Sequence, residues 1–186
     1  EPYYQWLNNL VVEQERTSGR VTNDGDGTNL GLDVVLSRSF AGGWFGNVVY
    51  AYNDARIDDN DGLGEYDADF NREHFFSIGG SWEITERWKL GARWKWATGR
   101  PTDDFIINSD VLGAGQPLRY SKELTERNAL RLDDSHSLNI RVDYRLPLGP
   151  VDLVAFLDVI NVYGGPSGGY QEFDPRRGVI VADEGE

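Results

Sequence analysis

Carboxylates are concentrated in one polar stretch of the chain, residues 58–69. Its sequence, Asp-Asp-Asn-Asp-Gly-Leu-Gly-Glu-Tyr-Asp-Ala-Asp, holds six acidic residues and no basic one. Carboxylate oxygens are the ligands that Ca²⁺ takes, about six to eight per ion. The glycines and the glutamate do not have the spacing of an EF-hand loop, and a run of like charges is usually a solvated surface. We therefore expect a solvated acidic link here and no metal site.

The only two histidines, His74 and His136, each stand where a long polar stretch passes into an alternating one. Two imidazoles could hold a transition metal, but the chain has no Cys and shows no further ligands at a fixed spacing. Neither histidine has the Ser and Asp partners of a catalytic triad. We expect both rings to hydrogen-bond loop backbone at an interface. The sequence predicts no catalytic residue and no cofactor or metal site. We therefore expect a protein that is not an enzyme.

Charged residues also recur at every second position in two segments, 88–96 and 137–146. In the first, Trp, Leu, Ala, Trp and Trp alternate with Lys, Gly, Arg and Lys. In the second, Leu, Ile, Val, Tyr and Leu alternate with Ser, Asn, Arg, Asp and Arg. A helix cannot separate the two kinds of residue in this way, whereas successive side chains of a strand point to opposite faces. Both segments are predicted to be strands with one apolar and one polar face.

Weaker alternation predicts further strands, about seven in all. The last of them is apolar on both sides, so its faces stay unassigned, and the first has a poor pattern. An Asn-Asp-Gly-Asp-Gly sequence at 23–27 is predicted to be a turn. The additional strand segments are 9–22, 30–36, 43–55, 74–84 and 151–163.

The links between these strands alternate in length. Short links fall at 41–43, 85–87 and 147–150, and long polar links fall at 56–72, 100–135 and 164–186. Short turns at one end and long loops at the other are typical of an antiparallel up-and-down outer-membrane β-barrel, and strands of about ten residues match its tilted span. Tryptophans beside the short links, Trp44, Trp82 and Trp88, are placed like an interfacial girdle.

The alternation then assigns two sets of side chains to the two sides of such a wall. The set predicted to face outer-membrane lipid is Trp88, Leu90, Trp94, Trp96, Leu138, Ile140, Val142 and Tyr144. The set predicted to face the lumen, or a plug within it, is Lys89, Arg93, Lys95, Arg141, Asp143 and Arg145. Ordinary cross-strand ion pairs are the favoured role of the charges, such as Arg93 or Lys95 beside Asp143, and contact with a plug comes second.

Composition excludes several other classes. The absence of Cys excludes disulfide scaffolds and thiolate metal sites, and a net charge of −13 argues against nucleic acid as a partner. The longest apolar run, residues 153–157, is far shorter than the roughly 20 residues of a membrane-spanning helix. A soluble β-sandwich that binds carbohydrate or calcium also has alternating strands, and it stays open as an alternative.

Several stretches follow one another in an order that is known from one family. Asp-Phe-Asn-Arg-Glu-His at 69–74 leads into an alternating strand, and Trp-Lys-Leu-Gly-Ala-Arg-Trp-Lys-Trp-Ala-Thr-Gly-Arg-Pro at 88–101 ends in a Ser/Thr-Gly-x-Pro pattern. Further matching stretches are 27–38, 40–44, 50–52, 131–143 and 156–161. Together they resemble the C-terminal part of the barrel of TonB-dependent receptors, and the likeness runs from about Gly27 to Tyr163.

The resemblance implies a plugged barrel of about 22 strands in the bacterial outer membrane. Such receptors take up scarce nutrients, namely iron chelates (siderophores), cobalamin or oligosaccharides, with energy from the TonB complex. Residues 1–186 would be one part of that barrel domain, an open fragment without the plug domain or the final strand. The implied partners are the plug of the same full-length chain, the TonB complex, outer-membrane lipid and an unknown extracellular ligand. A complete eight-stranded barrel, an adhesin or a lipid-modifying enzyme, is a second alternative.

Overall fold

The computed structural model describes residues 1–14, 20–110, 119–166 and 170–183. Over these ranges the chain forms strands and no helix, so nothing in them could cross a membrane as a long apolar helix. The predicted all-β, antiparallel class is confirmed. The strands are β1 (Pro2–Gln14), β2 (Arg20–Ala41), β3 (Trp44–Asp58), β4 (Tyr66–Asp67), β5 (His74–Glu83), β6 (Trp88–Ala97), β7 (Pro101–Asp110), β8 (Arg119–Arg131), β9 (Ser135–Leu148), β10 (Val151–Val159), β11 (Tyr170–Asp174) and β12 (Val179–Asp183).

One large antiparallel sheet contains most of these strands, in the order β1-β2-β3-β5-β6-β9-β10. The two-residue β4 pairs with β3, and the pairs β7–β8 and β11–β12 form two separate hairpins. Among the described strands, β1 pairs only with β2 and β10 only with β9. The sheet therefore has two open edges, and these strands do not close into a barrel by themselves.

Tight turns join the strands at one end of the sheet. Between β2 and β3, Gly42 and Gly43 have φ of 63° and 78°, and Ala41 is opposite Trp44. Two central residues with positive φ match the right-handed twist of paired strands, and glycine adopts that conformation without strain. Gly149, with φ of 76°, starts the corresponding turn between β9 and β10. These glycines set the register of the two hairpins.

The connections at the other end are long, as predicted, but two of them are not loops. The predicted link 100–135 contains β7 and β8, and the predicted link 164–186 contains β11 and β12. The β7–β8 hairpin has polar residues on both faces, and in the β11–β12 hairpin the strand β12 is apolar at four consecutive positions. Alternation of apolar and polar residues is therefore weak in them, and the sequence pattern does not separate them from loops.

Two predictions near the N-terminus are wrong. The expected strand at 9–22 spans the end of β1 and the start of β2, and the expected turn at 23–27 lies inside β2. Asn9 has φ of 58° at an irregularity in β1 pairing, which breaks the alternation there. A Cβ on Gly25 would lie 3.2 Å from the carbonyl oxygen of Leu10. The glycines of 23–27 thus permit close approach of β1 and do not form a turn.

The register places apolar residues of neighbouring strands side by side across the whole sheet. One such row consists of Leu36, Val48, Ile78, Trp94 and Leu138. β10 also joins this face, since Leu157 is opposite Val142, so the side of the sheet that the sequence left unassigned for β10 is now settled. The result is a continuous apolar face and a polar reverse face.

No second layer covers this apolar face within the described ranges. Leu36 and Leu157 are each 65% exposed and Trp82 is 55% exposed, whereas the inner faces of two stacked sheets bury such residues. The buried hydrophobic residues of the described chain are Val12, Ala55, Tyr66, Ala68 and Ala97. Most of these lie near the long-link end of the sheet.

Candidate functional site

All the residues predicted to face lipid lie on the apolar face. In the register of β6 with β9, Trp94 is opposite Leu138 and Trp88 is opposite Tyr144. The full set on this face comprises Trp88, Leu90, Trp94, Trp96, Leu138, Ile140, Val142 and Tyr144. The strand period of two produces this separation, because each step of one residue reverses the face.

The residues predicted to face a lumen share the polar reverse face. Arg141 donates to the carboxylate of Asp143 at 2.9 Å and lies 3.9 Å from Asp158 on β10. Arg145 pairs with Asp152, also on β10. These pairs are largely exposed, and exposed ion pairs contribute little to stability. They leave a hydrated, charged wall. The full set on this face is Lys89, Arg93, Lys95, Arg141, Asp143 and Arg145.

The charges on this wall are paired differently from the prediction. Asp143 is opposite Lys89 and not opposite Arg93 or Lys95. Arg93 is opposite Asn139, about 13 Å along the strand from the Lys89 position. Alternation identifies the face of the sheet on which each side chain lies. Which residues are opposite each other depends on the register of β6 with β9, a strand that follows it by some forty residues.

Aromatic residues form a group at the short-turn end of the apolar face, as predicted. Trp44 of β3 is directly opposite Trp82 of β5. The ring of Trp88 lies 4.7 Å from the ring of Tyr144, centroid to centroid. Rings of this kind, with an apolar body and a polar N–H or O–H, suit the boundary between hydrocarbon and water.

A second aromatic group lies at the long-link end of the same face. The ring of His74 is 6.1 Å from Tyr50, 5.4 Å from Tyr52 and 6.5 Å from Trp96. Trp96 donates its indole N–H to Asp134 at 3.2 Å. On β6, Trp88 belongs to the first group and Trp96 to the second. These two positions are eight residues apart, which places the two groups about 26 Å apart along the strand. The sequence analysis identified only the first group, because the second is assembled from three strands.

Both histidine rings bind tyrosine hydroxyls, and the prediction that they bind loop backbone is wrong. Nδ1 of His74 is 3.0 Å from the hydroxyl of Tyr50. Nδ1 of His136 is 3.0 Å from the hydroxyl of Tyr163, which also accepts from the indole N–H of Trp94. In the described part of the chain, no group of three or more His, Asp or Glu residues is placed to hold a metal ion.

The acidic link packs against β8, and its first half is held by a buried carboxylate. The side chain of Asp59 has no solvent exposure, and it accepts a hydrogen bond from the Tyr66 hydroxyl at 2.7 Å. Arg127 of β8 lies 3.5 Å from this carboxylate and places its guanidinium 4.9 Å from the centre of the Tyr66 ring. The expectation of a solvated link is therefore wrong for Asp59, because a cation from a distant strand compensates its burial.

The second half of the link is held by two more residues of β8. Arg131 donates to Asp67 at 2.5 Å and to Glu73 at 2.9 Å. The amide of Asn128 donates to Asp69 at 2.8 Å and to the Asp67 carbonyl at 2.6 Å. Carboxylates that the sequence grouped as a charge run thus serve as acceptors that dock the β7–β8 hairpin.

Asn71 connects the same link to the main sheet. Its side chain is fully buried, and Oδ1 accepts from the backbone N–H of Ala55 at 3.2 Å and from the Asn53 amide at 3.1 Å. A buried amide that bridges a strand and a loop is costly to remove, because the backbone N–H of Ala55 would lose its acceptor. The acidic link after β3, the β7–β8 hairpin and the adjoining end of β3 therefore form one packed unit, which we call the loop dock.

Burial changes the proton affinity of two groups in the loop dock. Burial, and then the hydrogen bond to Asp59, raise the pKa of the Tyr66 phenol well above its ordinary value, against the opposing effect of Arg127. Burial and the nearby Arg100 cation lower the pKa of Arg72.

Comparison with known proteins identified no relative of this chain. No family model, no curated protein and no solved structure matches the chain. What the fold and site define is an antiparallel, two-sided β-sheet with long connections at one end.

Proposed function

We propose that the chain is part of the barrel wall of an outer-membrane TonB-dependent receptor. It would take part in the energised uptake of a scarce nutrient such as an iron chelate, cobalamin or an oligosaccharide. The observation that carries this proposal is the continuous, uncovered apolar face opposite a charged one. Soluble monomers rarely expose apolar patches larger than a few hundred Å². Lipid is the solvent in which such a face is stable.

The two aromatic groups and the unequal connections support the same proposal. An apolar band between two aromatic girdles, with short turns on one side and long loops on the other, is the pattern of outer-membrane barrels. The long-link end, with the loop dock, would then lie outside the cell and meet the nutrient. The charged face would line the lumen and contact a plug. No catalytic step is assigned to these residues.

The open edges of the sheet support a larger barrel. Lipid cannot hydrogen-bond the unpaired backbone groups of an edge strand, so β1 and β10 must each meet another strand in a membrane. A small eight-stranded barrel requires these two strands to meet through one further strand, and in the described chain neither edge is sealed in this way. A sandwich requires a second sheet over Leu36 and Trp82, which are largely exposed.

Single-cysteine labelling tests the proposal, since the chain has no native Cys. The complete gene product, with any Cys outside these 186 residues replaced by Ser, is expressed in the outer membrane of a bacterial host, with Ile140→Cys or Arg141→Cys labelled by an environment-sensitive fluorophore. These neighbours on β9 serve as matched controls for each other. We expect a spin-labelled lipid to quench the label at 140 and aqueous iodide to quench the label at 141. Equal access of iodide to both positions would contradict the proposal.

A further inference from the structure

The apolar face contains a groove floored by small residues. Gly46, Gly80 and Ala92 are register partners on β3, β5 and β6, and together they form one row across the face. A Cβ on Gly80 would lie 2.7 Å from the Phe45 carbonyl oxygen. The backbone therefore leaves no room for a side chain at this point of the floor. The bulky rows on either side, which include Trp82 and Trp94, form the walls.

The groove has a charged mouth at the end nearest the short turns. Arg38 is the register partner of Gly46, so it lies on the apolar face in line with the floor. Its guanidinium lies 4.1 Å from the centre of the Trp44 ring, which holds it over the groove. Among the residues that line the groove, Arg38 is the single ionisable one. Across β2, β3, β5, β6 and β9 the row from Arg38 to Ile140 extends about 19 Å.

The size and lining of the groove fit an acyl chain. Its volume is about 730 Å³, which is within the range of roughly 300–1,000 Å³ seen for small-molecule sites. The walls are mainly aliphatic and aromatic; the uncharged polar residues of the lining are Ser37, Asn47 and Ser81, and no carboxylate is among them. An elongated apolar slot that ends at one guanidinium is complementary to a molecule with a long hydrocarbon tail and a phosphate at its head.

We propose that this groove binds one glycerophospholipid, with an acyl chain along the Gly46–Gly80–Ala92 floor and the phosphate on Arg38. The inference rests on the proposed function, because it takes the apolar face to be the lipid-facing one. At that depth the short-turn end meets the headgroups of the leaflet on the periplasmic side, where a guanidinium is tolerated and pairs with phosphate. This site differs from general contact with fluid lipid, because it binds lipids that carry a phosphate more tightly than lipids that do not.

Native mass spectrometry of the complete protein in detergent micelles tests this site. The probes are 1-palmitoyl-2-oleoyl-phosphatidylglycerol and the diacylglycerol with the same acyl chains. We expect one phospholipid to bind at least about tenfold more tightly than the diacylglycerol, the factor expected from one charge-assisted hydrogen-bonding contact. Arg38→Gln should remove that difference. Ala92→Leu, which raises the floor, should weaken binding of both probes.

Two matched variants serve as controls. Arg87→Gln removes the same charge at the same end of the sheet, outside the groove lining, and Ala155→Leu adds the same side chain on the exposed apolar face of β10. Neither should change the affinity of either probe more than about twofold. Equal binding of both probes, or no effect of Arg38→Gln, would overturn the site. The labels at 140 and 141 report the lipid-facing side independently, so failure of the groove alone is distinguishable from failure of the barrel proposal.

Discussion

Asp59 and Arg127 are 68 residues apart in sequence, and their carboxylate and guanidinium lie 3.5 Å apart. The Asp59 side chain is completely shielded from solvent, and that of Arg127 is 25% exposed. The pair joins the link after β3 to the β7–β8 hairpin, two segments that the sequence pattern treats as independent loops. The acidic link and the described part of the hairpin are consequently held together by specific side chains.

Removal of the cation should loosen the hairpin from the link. Arg127→Leu leaves a buried carboxylate without its partner, and we expect a loss of about 1–3 kcal/mol in the free energy of unfolding, low in the range for buried pairs because Arg127 is partly exposed. Hydrogen exchange of β8 amides and a urea titration measure the effect. Arg177→Leu is the matched control, since Arg177 pairs with Asp174 at an exposed position outside the loop dock and should cost less than about 1 kcal/mol. Equal effects of the two changes would argue against the loop dock.

The raised pKa of Tyr66 predicts a loss of stability at high pH. The folded state holds this proton more tightly than the unfolded state, whose tyrosines titrate near 10.0. The stabilising contribution is therefore complete below pH 10 and declines as the pH rises toward the folded pKa. In Tyr66→Phe the decline of the free energy of unfolding above pH 10 should be smaller. A spectrophotometric phenol titration should also lose one group that titrates above the ordinary range, and an unchanged titration would contradict the assignment.

The turn between β2 and β3 should tolerate asparagine but not a β-branched residue. Gly42→Val forces a branched side chain into positive φ, at a cost of about 1–2 kcal/mol. Gly42→Asn produces Asn-Gly, the favoured pair for this turn, and should leave stability within about 0.5 kcal/mol. Denaturant midpoints of the two variants provide the comparison. Similar midpoints would mean that the turn has another conformation in solution.

A charge should be costly on one face of the sheet and tolerated on the other. Ile140→Arg places a cation on the apolar face, which in a bilayer costs about 2–4 kcal/mol near the midplane. Ser81→Arg places the same side chain on the polar face, opposite Gly91, and should change stability by less than about 1 kcal/mol. Unfolding in lipid vesicles measures both values. If the two costs were alike, neither side would be in contact with hydrocarbon.

Much of the fold followed from local alternation. The segments 88–96 and 137–146 predict β6 and β9 closely, and the face of every residue named in them is the predicted one, because a strand reverses sides at each step. Two of the short links were equally clear, since a glycine pair marks 41–43 and Gly-Pro ends 147–150. The prediction failed for β7 and β8, because polar residues occur on both faces of these strands and no alternation marks them.

Taken alone, therefore, the sequence determined the class of structure, the two faces of its best strands and the ends at which turns and long links lie. These are short-range properties, governed by side-chain period and turn chemistry. Only the tertiary structure decided which residues meet across the chain: Asp59 with Arg127, Lys89 with Asp143, and Arg38 with the Gly46 row. Such contacts depend on strand register and on the return of distant segments, and no local pattern encodes either of them.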